Sequence, residues 1–322
     1  MTPMPGAPLN PSALDRFGFF GPSGTFTEMA LQTWAPAAGH EWVPYASVDA
    51  ALEAVRAGEV GQAMVPIENS VEGGVSATLD ALASGEPLVL VGEVLVPITF
   101  VLAARPGMPL GSVRTVGTHS HAWAQVRGWM GHHLPEAVYV PTLSTAAAAA
   151  GLAGGEHPAY DAAVCAPVAA ENHRLHVLAT DIGDNSAAVT RFVLVARPGR
   201  LPEPTGADKT TVVLYQKDDH PGGLLELLEQ FAVRGVNMTR LESRPTKEAM
   251  GSYCFSIDVE GHVLEERVGE SLMGLRRVCQ EVRFLGSYPR ADGAEAAVPA
   301  WTSDVAFVDA RSWLRTLRNH RD

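Results

Sequence analysis

The stretch AMVPIENSVEGG, residues 63–74, decides how the first two thirds of the chain fold. It begins as a short apolar run, typical of a buried strand, and then presents Glu68, Asn69 and Ser70 ahead of a glycine pair. A strand that ends in consecutive polar residues before a helical pattern marks the carboxyl edge of an α/β sheet. Ligands bind such sheets at that edge, where loops and helix N-termini meet. The stretch therefore predicts a binding edge; the alternative is a solvated loop that caps the next helix.

Several other predicted strands end in the same way. The strand Phe17–Phe20 leads through a glycine-bracketed turn to Thr25, and a later strand ends at Thr118. Another strand ends at Ser144 and Thr145, before an alanine-rich helix. Each hydroxyl alone is explained by helix capping. Because strands alternate with helices in two successive halves, we predict parallel sheets whose edges line one cleft if the halves close on each other.

Composition narrows the function classes. The chain has 322 residues, 46% of them hydrophobic, which allows two or three globular domains. Its formal net charge of -12 argues against nucleic acid or an anionic membrane as the main partner. Three widely spaced cysteines indicate reduced thiols in a cytoplasmic protein, and neither a secretory signal nor a membrane span is recognisable. The histidines lack metal-ligand spacing and no dinucleotide fingerprint is present, so neither a metal nor a nicotinamide cofactor is expected.

The chain is predicted to divide at a linker rich in proline and glycine. Residues 1–16 are expected to be flexible, and a two-lobed region follows over 17–200. In its last part, the triplet TRF precedes a strand predicted at Val193–Ala196. After the linker at 201–208, residues 209–290 read as a βαββαβ unit, the ferredoxin-like arrangement. The tail, 291–322, contains enough apolar residues for a short docking helix.

Six motifs resemble those of a known family and occur in the same order. Four of them are similar to signatures of prephenate dehydratase, namely GPSGTFTEMA at 21–30, VPIENSVEGGV at 65–75, STAAAA at 144–149 and TRF at 190–192. Two resemble signatures of its ACT regulatory domain, HPGGLLELL at 220–228 and ESRP at 242–245. The resemblance implies two α/β lobes of the periplasmic-binding-protein type (type II), a cleft between them, and an ACT domain. Since no chorismate-mutase-like segment precedes Phe17, it implies the monofunctional bacterial type.

The resemblance also implies a reaction and its residues. The family converts prephenate to phenylpyruvate for phenylalanine synthesis, and aromatisation drives the reaction without cofactor or metal. Thr190 is the favoured catalytic residue, with Glu68 and Asn69; Glu68 is a proton donor if burial keeps it protonated. The family's Ser-His-Pro motif is altered to Thr118-His119-Ser120. The substrate-binding residues implied are Thr25, Ser70, Thr118, Gln125, Ser144, Thr145, Arg191 and Phe192.

The ACT resemblance implies feedback inhibition by L-phenylalanine. The residues expected to bind it are Pro221, Gly222, Gly223, Leu224, Asn237, Glu242, Ser243 and Arg244. ACT domains commonly pair edge to edge, so a homodimer or homotetramer is expected. Two alternatives remain open from sequence: an arogenate dehydratase of the same family, and a non-catalytic amino-acid sensor.

Overall fold

The computed structural model describes residues 14–71, 73–154, 159–246 and 253–319. Glu72 of the opening stretch, most of the predicted flexible N-terminus, and the predicted turn of the C-terminal strand pair lie outside these ranges. Within them the chain forms three sheets, of six, five and four strands.

The first sheet has residues 62–69 as a central strand. Its strands are β1 (Arg16–Phe20), β2 (Glu41–Tyr45), β3 (Gln62–Asn69), β4 (Gly73–Gly74), β5 (Val89–Pro97) and β11 (Val189–Ala196). They lie in the order β2-β1-β3-β11-β5, with β4 paired to β3. The pairs β1–β2 and β1–β3 are parallel, as predicted, whereas β3–β4 is antiparallel. The sheet is therefore mixed and not wholly parallel.

Three helices accompany this part of the chain, namely α1 (Phe26–Thr33), α2 (Val48–Ala57) and α3 (Ser76–Ala83). The sequence fits α2 closely. Ser47 caps its start by accepting a hydrogen bond from the Ala50 amide over 3.1 Å. Gly58 ends it with a φ of 75°, a conformation that glycine adopts without steric cost.

The second sheet forms the other lobe. Its strands are β6 (Val101–Ala104), β7 (Thr115–Thr118), β8 (Val138–Pro141), β9 (Ala162–Cys165) and β10 (His176–Ala179). Its helices are α4 (Ser120–His133), α5 (Thr145–Ala153) and α6 (Pro167–Asn172). The strand order is β10-β6-β9-β7-β8; β7 is parallel to both neighbours, and β6 is antiparallel to both of its own. The chain enters this lobe from β5 and leaves it before β11, so the predicted two-lobed α/β region is confirmed.

One strand differs from its prediction. The triplet TRF was expected ahead of a strand at Val193–Ala196, but β11 already begins at Val189. The triplet lies within the strand because β11 is a neighbour of β3, and the last residues of β3 hold its first residues. The backbone of Ser70 donates to the carbonyl of Val189 over 2.9 Å.

The third sheet is the predicted βαββαβ unit. It comprises β12 (Asp208–Gln216), α7 (Gly223–Ala232), β13 (Met238–Pro245), β14 (Tyr253–Glu260), α8 (Glu266–Val278) and β15 (Cys279–Pro289). The order β13-β14-β12-β15, antiparallel throughout, is the ferredoxin-like topology. Alternate residues of β12, such as Val212 and Leu214, join Phe231 and Leu275 of the helices in one core. The helices α7 and α8 therefore cover one face of this sheet.

The tail forms α9 (Asp304–Asn319), the predicted docking helix. It is attached near its start, where the Asp304 carboxylate accepts a hydrogen bond from the Glu266 amide over 2.8 Å. Large apolar side chains remain exposed on it, Val305 and Trp313 among them. The helices in the described ranges are all too short or too polar to span a membrane. The three cysteines are unpaired and buried, and burial raises the pKa of the Cys165 thiol to about 12.

The described residues separate into two compact units. One contains those of Met1–Val75 and Val94–Phe192, and the other those of Ser76–Glu93 and Val193–Asp322. The second unit thus combines the βαββαβ domain with a segment, Ser76–Glu93, from the middle of the predicted catalytic region. The chain passes between the units within β5 and within β11.

Candidate active site

The end of β3 is shaped by its own polar residues. The Asn69 side-chain oxygen accepts a hydrogen bond from the Val71 amide over 2.8 Å, which turns the chain. Gly73, with a φ of 81°, then brings β4 back alongside Glu68 and Asn69. The Ser70 hydroxyl accepts from the Val189 amide over 2.9 Å. Local turn chemistry therefore places the Glu-Asn-Ser group beside the start of β11.

Thr190 and Asn69 form the first side-chain pair across these strands. The Asn69 amide nitrogen donates to the Thr190 hydroxyl oxygen over 2.7 Å. Thr190 is 6% exposed, so this contact is largely shielded from water. A hydroxyl that accepts a hydrogen bond still has its own proton to donate. The pair therefore presents a polarised hydroxyl as a potential donor.

Glu68 and Arg191 form the second pair. The guanidinium lies 3.3 Å from a Glu68 carboxylate oxygen, and the Arg191 side chain is 6% exposed against 36% for Glu68. Because successive strand residues point to opposite faces, this pair lies on the face of the sheet opposite to Thr190 and Asn69. The burial on which a donor role for Glu68 depended is only partial.

The glycine-bracketed turn before α1 approaches the second lobe. Gly24 has a φ of 90°, and a Cβ built on it would lie 3.1 Å from that of Ala169. Only a residue without a side chain fits this approach comfortably. Thr25 takes the N-cap position of α1 without capping it through its side chain, and its hydroxyl donates to the Phe20 carbonyl over 3.3 Å. A second contact between these lobes comes from Asn172 of α6, whose side-chain amide donates to the Glu28 carboxylate of α1 over 3.4 Å.

The hydroxyls predicted in the second lobe have local partners. Thr118 is fully buried, and its hydroxyl donates to the Val164 carbonyl over 2.7 Å. Ser144 caps α5 by accepting from the Ala147 amide over 2.9 Å, and Thr145 is the first residue of that helix. These contacts are the capping and strand-end roles that the residue types suggested. They do not test a role in substrate binding, so that role of Thr118, Ser144 and Thr145 stays a prediction.

Gln125 and Phe192 complete the predicted set. Gln125 is half-buried in α4, where its backbone carbonyl accepts a hydrogen bond from the Asp184 amide over 2.7 Å. Phe192 is 2% exposed and therefore supports β11 from within the core. The structure thus joins Thr190, Asn69 and Ser70 through β3 and β11, while the residues of the second lobe bond within their own lobe.

Four of the predicted effector residues, 221–224, form the turn into α7 and the start of that helix. Its N-cap is Gly222, with a φ of 87°, which has no side chain to satisfy the first-turn amides. Gly223 is buried, and a Cβ there would lie 2.7 Å from the side-chain amide nitrogen (Nε2) of Gln216. His220, just before the turn, contacts Glu226 over 3.2 Å. The hydrogen bond to Glu226 is the main reason that the pKa of His220 is raised, and a second one, to the Asp218 carbonyl, adds to this effect.

The other predicted effector residues lie on or beside β13. The Asn237 carbonyl accepts from the Glu260 amide over 2.9 Å, and its side chain is exposed. Arg244 of the ESRP motif donates to the Asp80 carboxylate of α3 over 2.9 Å. This hydrogen bond raises the pKa of Arg244. Sequence reasoning did not foresee the contact, because 164 residues separate the partners.

Further contacts missed from sequence join Ser76–Glu93 to the third sheet. Lys209 of β12 lies 3.0 Å from both oxygens of Glu93, and both side chains are buried. The Tyr215 hydroxyl donates to the Ala83 carbonyl, and Arg283 of β15 donates to that of Gly85 over 3.0 Å. One signal was available: a lysine at the start of a buried β-branched strand requires a charged partner.

Comparisons with known proteins agree with this geometry. The sequence profile of the prephenate dehydratase family matches residues 17–200. A prephenate dehydratase of Amycolatopsis methanolica is 49% identical over 306 residues, 95% of this chain and 98% of its own. One of Mycolicibacterium vanbaalenii is 45% identical over 316 residues, covering 94% and 98%. The crystal structure of prephenate dehydratase in complex with L-Phe from Arthrobacter aurescens superposes with a TM-score of 0.90, at 56% identity over 94% of this chain and 99% of that one.

Proposed function

The chain belongs to the prephenate dehydratase family, and we propose how its residues divide the work of that reaction and of its control. The activity is the decarboxylating dehydration of prephenate to phenylpyruvate in phenylalanine biosynthesis. The enzyme is a carbon–oxygen lyase.

The reaction defines what the residues must supply. The bond from the ring to its carboxylate breaks, and carbon dioxide leaves. The electron pair moves into the ring and makes it aromatic. At the opposite ring carbon, the carbon–oxygen bond to the hydroxyl breaks. One proton is taken up, so that hydroxyl departs as water. A site for this chemistry needs a donor at the departing hydroxyl and neutral or cationic groups for the carboxylates.

The observation that carries our assignment is the Asn69–Thr190 hydrogen bond. Since the Thr190 oxygen already accepts from Asn69, its proton is available to the departing hydroxyl. Accepting that hydrogen bond also polarises the hydroxyl and makes it a better donor. Thr190 stabilises the developing hydroxide in the transition state, and the net proton comes from solvent. We therefore assign Thr190 as the catalytic donor and Asn69 as the group that orients it.

Glu68 receives a different role. It pairs with the nearly buried Arg191, and alternation along the strands points it away from Thr190. Glu68 and Arg191 therefore hold β3 and β11 in register, so that Asn69 meets Thr190. We assign Glu68 as a positioning residue of the catalytic group.

The remaining substrate contacts come from the turns and helix starts that line the two lobes of the catalytic region. Hydroxyls and backbone amides at these positions hold carboxylates without a net positive charge. The reaction needs no metal or cofactor, because aromatisation provides its driving force. From the predicted set we propose Thr25, Ser70, Gln125, Ser144 and Thr145 as substrate contacts. Thr118, Arg191 and Phe192 are buried, and we propose that they support these positions through packing and hydrogen bonds.

For control, we propose that L-phenylalanine binds the βαββαβ domain and inhibits from there. The relative from Arthrobacter aurescens was crystallised with L-Phe. In this chain, the amides at the start of α7 suit the carboxylate of an amino acid, and Gly222 and Gly223 allow its close approach. Pro221 and Leu224 belong to the same turn. Asn237, Glu242, Ser243 and Arg244 complete the proposed effector group.

The contacts of Ser76–Glu93 support a route for this control. Arg244 of the effector group holds Asp80 of α3, and α3 begins six residues after Ser70 of the Glu-Asn-Ser group. A change in β13 on effector binding therefore acts on a segment covalently continuous with the catalytic strand. Such control requires phenylalanine to bind the active and inhibited states with different affinities.

We further propose a cytoplasmic homodimer or homotetramer formed through the βαββαβ domains. The reduced state of three buried cysteines and the edge strands of the third sheet support this arrangement. The test of the whole proposal is the formation of phenylpyruvate from prephenate, with and without phenylalanine, alongside arogenate as the competing substrate. Binding without turnover would favour the non-catalytic sensor.

A further inference from the structure

A group from outside α4 binds the middle of that helix. One Asp184 carboxylate oxygen accepts from the Gly128 amide over 2.8 Å, and the other accepts from the Trp129 amide over 2.9 Å. In an uninterrupted α-helix these two amides donate to the carbonyls of Ala124 and Gln125. Asp184 therefore caps the second half of α4 in the manner of an N-cap residue, but from another part of the chain.

Asp184 also binds the helix through its backbone. Its amide donates to the Gln125 carbonyl over 2.7 Å. The same residue thus supplies acceptors for two helix amides and a donor for the carbonyl that Trp129 would otherwise use. Gly128 makes this approach possible, because a Cβ at that position would lie 2.8 Å from an Asp184 carboxylate oxygen. The glycine and the aspartate fit each other.

The segment that carries Asp184 is fixed along its length and leads directly to Thr190. The Ile182 amide donates to the Phe100 carbonyl over 3.1 Å. Farther on, the Ala188 carbonyl accepts from the Ile98 amide over 2.8 Å, and Val189 is bound by Ser70. Hydrogen bonds therefore hold the segment both before and after Asp184, and Thr190 follows Asp184 by six positions.

We infer that Asp184 is a positioning residue for the reaction, which sets Gln125 and the first half of α4 in place relative to Thr190. The inference rests on the roles proposed above for Gln125 in substrate binding and Thr190 in catalysis. Asp184 itself acts through Gln125 and does not need to touch the substrate. Asp184 takes no part in the Thr190–Asn69 contact. Loss of the Asp184 carboxylate is therefore expected to affect substrate binding more than turnover.

The test is steady-state kinetics with prephenate on the full chain. Asp184→Ala is expected to raise KM about tenfold or more and to lower kcat by less, because misplaced binding groups act chiefly on KM. Asp184→Asn, which keeps one acceptor, is expected to fall between it and the unaltered enzyme. Asp181→Asn is the matched control: it removes the same charge three residues earlier, and its kinetics are expected to be unchanged.

A second variant probes the same contact from the helix. Gly128→Ala places a methyl group against the carboxylate and is expected to raise KM as Asp184→Ala does. The double variant is expected to be no worse than the stronger single one, since both remove one interaction. These two variants and Asp184→Asn carry the test if Asp184→Ala does not fold at the assay temperature.

Thermal unfolding separates positioning from capping alone. A lowered Tm with unchanged KM and kcat below the transition would overturn the inference, and so would equal effects of Asp184→Asn and Asp181→Asn. Gln125→Ala is measured beside them. If Gln125→Ala raises KM but Asp184→Ala does not, the inference fails and the proposed function stands. If Gln125→Ala leaves KM unchanged, the proposed role of Gln125 fails instead.

Discussion

Asn69 donates a hydrogen bond from its side-chain amide to the hydroxyl of Thr190 over 2.7 Å, across two neighbouring strands. The two residues lie 121 positions apart in the chain, and each belongs to a different motif of the family. Their contact unites these motifs in one group on one face of the sheet. It also identifies Thr190 as a hydrogen-bond donor to the substrate, because the Thr190 oxygen accepts from Asn69 and the hydroxyl proton remains to be donated.

The first prediction concerns this hydroxyl. Thr190→Ala is expected to lower kcat by about a hundredfold or more, the usual cost of losing one donor to a developing oxyanion. Thr190→Ser keeps the hydroxyl and is expected to retain most of the activity. Asn69→Ala is expected to lower kcat by less, and the double alanine variant to be no slower than Thr190→Ala. The measurement is phenylpyruvate formation; near-normal turnover by folded Thr190→Ala would remove the assignment.

The second prediction separates Glu68 from the proton donor. Glu68→Gln removes the negative charge that faces the nearly buried Arg191 but keeps an oxygen that accepts a hydrogen bond. The free energy of unfolding is therefore expected to fall by about 1 kcal/mol or less, the usual range for a partly exposed ion pair. The dependence of kcat on pH is expected to keep its shape. If Glu68→Gln instead removed one limb of that dependence in a stably folded enzyme, Glu68 would be the donor.

These two pairs show how far the sequence alone reaches. The end of β3 was predictable, since an apolar run followed by Glu-Asn-Ser and two glycines favours the end of a strand in an α/β sheet, although the same pattern also fitted a loop that caps the next helix. The TRF triplet was recognisable as a motif, but its place inside β11 depends on pairing with β3, and no local pattern encodes that pairing. For the same reason, the opposite faces of Thr190 and Arg191 became clear only in the structure.

Contacts over long distances in sequence were the larger omission. The partners of Arg244 and Lys209 lie in Ser76–Glu93, a segment that the sequence assigns to the catalytic region. Thr118 is another case: its residue type suggested a hydroxyl at a strand end, yet packing against β9 buries it fully and directs it to Val164. Burial and tertiary partners are properties of the fold, so sequence patterns give only the candidates.

The third prediction concerns the effector turn. Gly223→Val is expected to abolish inhibition by phenylalanine while turnover stays near normal. The added side chain meets the side-chain amide of Gln216 and blocks the approach to the backbone amides of α7. Turnover is spared because Gly223 lies outside the catalytic region that contains Thr190. Calorimetric titration with phenylalanine and activity assays check the two parts separately. If phenylalanine binding were lost while inhibition persisted, the effector would act elsewhere.

The fourth prediction tests the Asp80–Arg244 contact as the route of control. Asp80→Arg is expected to weaken inhibition at least severalfold without removing phenylalanine binding or basal activity. Asp80→Asn, which keeps an acceptor oxygen for Arg244, is expected to retain more of the inhibition than Asp80→Arg does. Arg276→Asp, which reverses an exposed charge on α8, is the matched control and is expected to leave inhibition unchanged. Unaltered inhibition in Asp80→Arg would exclude this route.

The most direct test of Thr190 as the catalytic donor is the rate of phenylpyruvate formation by the unaltered chain and by Thr190→Ala, with prephenate and arogenate supplied in parallel. The unaltered chain is expected to turn over prephenate in preference to arogenate. The Thr190→Ala rate is expected to be lower by about a hundredfold or more. Binding of prephenate without phenylpyruvate formation by the unaltered chain, or equal rates for the two proteins, would contradict this assignment.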